Sequence, residues 1–135
     1  PGGVGGAIRG WVGARQAELL GQGLGGAASV TSDPEAVLPV AVADEVVSLL
    51  AEVYSNIRAH ASPTDGGFSL ELAVSDDGIR LVQMNMCRPD DRTVSGRGLQ
   101  LHRHIIATRG GTLSTSRGVD VWTLKAHIPK HSPQA

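Results

Sequence analysis

Apolar residues follow two rhythms along this chain. Ile8, Trp11, Val12, Ala14 and Leu19 alternate with Arg9, Arg15 and Glu18 at helical intervals, which predicts an amphipathic helix over residues 7–20. Gly21, Gly23, Gly25 and Gly26 end it, and residues 1–6 ahead of it read as a flexible lead-in. A short strand is expected over 27–31, then a turn at Ser32-Asp33-Pro34. Pro39 opens the clearest helix, with Val42, Val46, Leu49, Leu50, Val53 and Ile57 at helical spacing as far as Ala61. The rhythm then changes. Phe68, Leu70, Leu72 and Val74 alternate with Ser69, Glu71 and Ala73, the pattern of a half-buried strand. Asp77-Gly78 predicts a two-residue hairpin, and the chain returns through Ile79, Leu81 and Gln83 to Asn85. Residues 88–95 are polar, contain Pro89 and read as a loop; a third helix follows over 97–108, stopped by Arg109-Gly110-Gly111. Strands at 112–116 and 119–128, joined by a turn at Arg117-Gly118, close the chain. This order predicts an α/β (α+β) two-layer sandwich: a mostly antiparallel mixed sheet covered on one face by about three helices.

Composition narrows the class. A length of 135 residues with 41% hydrophobic content is one domain with enough apolar side chains for a core. A net charge of −1 argues against a nucleic-acid partner, and no apolar stretch approaches a membrane span. No signal peptide is visible, and the single Cys87 excludes an internal disulfide and fits a reducing compartment. A cytoplasmic location is the expectation. Pro1 where a Met would stand suggests a piece of a longer protein.

Three polar motifs stand out. Glu52, Asn56 and His60 sit at four-residue intervals, on one face of the long helix. Such a stripe is either an ordinary solvated face or a ligand face; a carboxylate, an amide and an imidazole in line suit a hydrated Mg²⁺ carrying phosphates. Gly96-Arg97-Gly98-Leu99 lies where the polar loop enters the third helix. It is either a hinge or a place where backbone amides and a helix N-terminus approach phosphate. Asn85-Met86-Cys87 ends the hairpin's return strand, where Asn85 either closes a turn or hydrogen-bonds a purine edge.

In this order the motifs resemble the GHKL (Bergerat-fold) ATPases, and among them the sensor histidine kinases with NarL-type and DesK-type catalytic domains. Residues 52–61 look like that family's N box, 96–113 like its G2 box, and 122–129 like its last strand. The likeness spans residues 38–129 of a single domain, with 130–135 a tail. It implies a histidine kinase catalytic domain that binds ATP and Mg²⁺. By the resemblance Asn56 holds the Mg²⁺, Glu52 orients a water or the metal shell, and His60 lies near the nucleotide. Gly96, Arg97, Gly98 and Leu99 form the phosphate-facing segment, residues 88–95 a closing lid, and Asn85 and Cys87 the G1-box positions beside adenine. The implied partners are ATP or ADP, a phosphoacceptor dimerisation domain of the same protein and a response regulator. The domain would be the cytoplasmic part of a sensor, itself outside any membrane.

The chain also departs from the pattern. The G1 box carries Asp and Gly where Asn85 and Cys87 stand. A neutral amide accepts a weaker hydrogen bond than a carboxylate, and a thiol fills space that a glycine leaves open. An alternative alignment puts Asp76-Asp77-Gly78 in the G1 role. None of His60, His102, His104, His127 or His131 sits in a phosphoacceptor-like segment, so this domain alone should not autophosphorylate. His102 and His104, two apart on a helix, make a poor metal pair. Met84 and Met86 either line an adenine pocket or simply pack. Two other readings remain: an anti-sigma-factor-type serine kinase, which shares a Gly-Arg-Gly-Leu segment, and a degenerate GHKL domain that signals without catalysis.

Overall fold

The computed structural model describes residues 3–62, 67–87 and 97–131; the predicted loop at 88–95, with Gly96, lies outside them. Three helices, α1 (Gly3–Gly21), α2 (Val40–His60) and α3 (Arg97–Thr108), accompany five strands. The strands are β1 (Gly26–Ser32), β2 (Phe68–Ser75), β3 (Gly78–Met86), β4 (Thr112–Arg117) and β5 (Val121–Pro129). They form one sheet in the order β1-β2-β3-β5-β4, with β1 parallel to β2 and the other pairs antiparallel. This is the predicted mixed two-layer sandwich.

Alternation decides which face the helices cover. Phe68, Leu70, Leu72 and Val74 of β2, Leu81 of β3 and Leu124 and Ile128 of β5 are buried, whereas Ser69, Glu71, Arg80 and Lys125 are exposed. Against the buried face α2 lays Val42, Val46, Leu49, Leu50, Val53 and Ile57, and α3 lays Leu99 and Ile106. Ile8, Val12 and Leu19 of α1 complete the cluster. Trp11, Tyr54 and Phe68 stack edge-on with centroids 5.8 and 6.1 Å apart, tying α1, α2 and β2 together.

Two helices stop as their glycines require. Gly23 (φ 86) and Gly110 (φ 82) take left-handed backbone one residue past their caps. Leu24 N–H then donates to the Leu19 carbonyl, and Gly111 N–H to that of Ile106, the outer bond of a Schellman cap.

The first helix starts earlier than its apolar pattern indicates. Residues 3–6, read as lead-in, are helical, and Gly5 is buried where a Cβ would meet the Ser32 hydroxyl. The free edge of β1 is covered from α1: the Arg9 guanidinium donates to the Val30 carbonyl at 3.1 Å, and the Gln16 amide donates to the Gly26 carbonyl. The β2–β3 hairpin is shifted by one residue. Ser75 pairs with Gly78, so Asp76-Asp77 form the loop, and Gly78 (φ 128) supplies the positive φ one place later. Among the described residues, no helix is long and apolar enough to cross a membrane.

Candidate functional site

Glu52, Asn56 and His60 occupy successive turns of α2 and are each half-buried, at the margin of its apolar stripe. The residue opposite Glu52 is Gly98, in the first turn of α3. A Cβ on Gly98 would stand 2.5 Å from the Glu52 carboxylate, so glycine is what lets the two meet. The structure thus brings together one member of the α2 stripe and one of the Gly-Arg-Gly segment, residues 46 positions apart. Arg97 opens α3, and Leu99 turns its side chain into the core at 2% exposure, leaving only its backbone for a ligand.

Farther along the same two helices is a pair that the sequence reading did not single out. Glu45 and His102 are both buried, and His102 Nδ1 lies 2.7 Å from Glu45 Oε2 in a hydrogen bond from imidazole to carboxylate. A signal for Glu45 was present: it stands three residues after Val42 and four before Leu49, on the buried stripe, where a carboxylate requires a partner.

The C-terminal end of α2 is stitched to the end of β3. Ala61 bridges Cys87, Ser62 N–H donates to the Met86 carbonyl at 2.7 Å, and Cys87 N–H donates to the Asp120 carbonyl at 2.7 Å. His60 is therefore at the Asn85–Cys87 end of the sheet. Asp76-Asp77-Gly78 lie at the opposite end of β3, where Lys130 N–H donates to the Asp77 carbonyl. The alternative alignment thus puts the base-binding position far from the α2 stripe.

Asn85 faces the helix layer and is buried. Its Oδ1 accepts from Gln83 Nε2 at 2.9 Å, and its Nδ2 donates to the Met86 carbonyl at 3.1 Å. Gln83, also missed from sequence, is 1% exposed, so the two amides form a buried polar row along β3. Cys87 is buried too. Met84 and Met86 have the opposite parity: Met84 is exposed on the helix-free face, so it does not line a pocket under α2.

This donor set can be tested against Mg²⁺ and ATP. Among the described residues, no three His, Cys, Asp or Glu side chains gather to hold a metal by themselves. Magnesium does not need them, since it binds through one or two protein oxygens while phosphates and waters fill its shell. Glu52 beside Gly98 in the first turn of a 12-residue helix, with Asn56 one turn farther along α2, is a donor set of that kind. The base side is built differently from the family pattern: Asn85 offers a neutral oxygen already engaged by Gln83, and a thiol stands two residues on.

No protein-family profile matches the chain, and no curated protein does either. Solved structures do. The histidine kinase domain of the blue-light activated histidine kinase of Erythrobacter litoralis aligns with a TM-score of 0.64 at 22% identity, over 95% of this chain and 61% of that one. The catalytic domain of histidine kinase ThkA, in a nucleotide-free form, aligns with a TM-score of 0.61 at 16% identity, over 91% of both chains. ThkA in complex with the response regulator protein TrrA aligns with a TM-score of 0.62 at 15% identity, over 95% of this chain and 40% of that one. The chain has the fold of these catalytic domains. It spans about three-fifths of the Erythrobacter domain.

Proposed function

We propose that this chain is the ATP- and Mg²⁺-binding catalytic domain of a sensor histidine kinase, presenting the γ-phosphoryl group to a phosphoacceptor His on a separate domain. One observation carries the reading: Gly98, at the start of α3, meets the Glu52 carboxylate one turn from Asn56. On this reading Asn56 supplies an oxygen to Mg²⁺ and Glu52 orders the water around it. Bound Mg²⁺ neutralises phosphate charge. The first turn of α3, which Arg97 opens, faces the phosphates with its N–H groups, while His60 borders the nucleotide. Gly96, expected beside it, lies outside the described residues. Asn85 and Cys87 border the adenine. The fold shared with ThkA, whose complex contains a response regulator, supports such a regulator as the partner.

Calorimetric titration with ATP and Mg²⁺, with Asn56→Ala beside the wild type, tests the reading. Saturable, Mg²⁺-dependent binding that the variant loses is expected. No binding at millimolar ATP by a demonstrably folded protein overturns it. The second reading, a domain that signals without catalysis, would then hold; the engaged Asn85 amide and the buried Cys87 thiol are what favour it.

A further inference from the structure

The Glu45–His102 pair and the Gly98–Glu52 contact belong to one helix interface. Glu45 precedes Glu52 by seven residues on α2, and His102 follows Gly98 by four on α3, so the helices run antiparallel. Two turns of α2, about 10.5 Å, and one turn of α3, about 6 Å, separate the two points of contact. Otherwise α3 gives apolar side chains such as Leu99 and Ile106 to the common core, and apolar packing of that kind fixes neither axial register nor rotation closely. A buried hydrogen bond between an imidazole and a carboxylate does fix both, because a sliding α3 would leave a charge buried without a partner.

We propose that Glu45 and His102 are positioning residues for the nucleotide, acting through the register of α3. They pin α3 one turn beyond its start, and so hold Gly98 against the Glu52 carboxylate and set where the N–H groups of the first turn stand. The inference rests on the nucleotide-site reading above. It adds a specific claim: the pair acts on phosphate binding separately from its contribution to stability. Stability alone does not demand the pair, since well-packed apolar residues commonly replace a buried ionisable pair without loss.

That difference gives the test. Mg²⁺–ATP affinity and thermal midpoint are measured on the full chain for the wild type, His102→Asn, Glu45→Gln and the double variant Glu45→Met/His102→Leu. Asn places a donor near the position of Nδ1, and Gln keeps an oxygen acceptor, so both single variants should bind ATP within about threefold of wild type. The double variant should melt at or above the wild-type temperature yet bind ATP weaker by on the order of tenfold or more. Wild-type affinity in a folded double variant overturns the inference and makes the pair structural only. Loss of affinity in both conservative variants, with unchanged melting, also overturns it. A wild type that binds no ATP removes the nucleotide reading itself, and the inference with it.

Discussion

Gly98 and Glu52 touch because Gly98 has no side chain: a Cβ there would stand 2.5 Å from the carboxylate carbon and from one of its oxygens. The obstacle is the far end of a flexible side chain, so a methyl group would swing the carboxylate away rather than split the helices. Gly98 lies within a helix and lacks a positive φ. Alanine would therefore add helix propensity, worth about 0.5–1 kcal/mol. Gly98→Ala is expected to keep or raise the melting temperature while weakening Mg²⁺–ATP binding by on the order of tenfold. Calorimetry beside thermal denaturation checks both. Unchanged affinity would remove Glu52 from the site.

Asn85 differs from an Asp in what it donates. Its Nδ2 gives a hydrogen bond to the Met86 carbonyl while its Oδ1 accepts from Gln83. Asn85→Asp keeps the acceptor but sets a carboxylate against the Met86 carbonyl in a buried position. The variant is expected to lose about 1–3 kcal/mol of stability in urea denaturation. In exchange it offers adenine a charged acceptor, so its preference for ATP over inosine triphosphate, which lacks the amino group, should rise. An unchanged preference would place the base elsewhere.

The fold was legible where one physical rule acted alone. Period-two alternation in 68–74 marked β2, and Gly23 and Gly110 marked helix ends because left-handed backbone excludes most other residues. Residues 3–6 were not legible, since glycine disfavours helix and only contact with Ser32 accounts for Gly5. The hairpin moved by one residue because the strand register, not the Asp-Gly dipeptide, sets the loop. At the site, the α2 stripe and the Gly-Arg-Gly segment were each visible, but not their meeting, which depends on how two distant helices cross. Glu45–His102 was hidden for the same reason, since a polar residue on an apolar stripe shows a need for a partner without naming it. Gln83 and Asn85 share one face of β3 two residues apart, but alternation does not say that this face is buried at both positions.

Tyr54 provides a probe of the core, because it is the only tyrosine in the chain. It is 2% exposed between Trp11 and Phe68, and no group among the described residues pairs with its hydroxyl. Burial pushes its pKa from 10.0 up to about 12, because the phenolate would lose its hydration. The folded state therefore holds the proton more tightly than the unfolded chain does. Stability from this group is full below the unfolded value of 10.0 and is lost as pH rises through about 12. Ultraviolet titration should show no tyrosinate in the native protein near pH 10, and denaturation midpoints should fall between the two values. Tyr54→Phe should abolish the tyrosine part of that fall. It should also cost no stability at neutral pH, since it removes a buried hydroxyl without a partner and keeps the ring stack. A native tyrosine that titrates at its ordinary value would mean that α1 and α2 open readily at this point, against the packing of Trp11 on Tyr54.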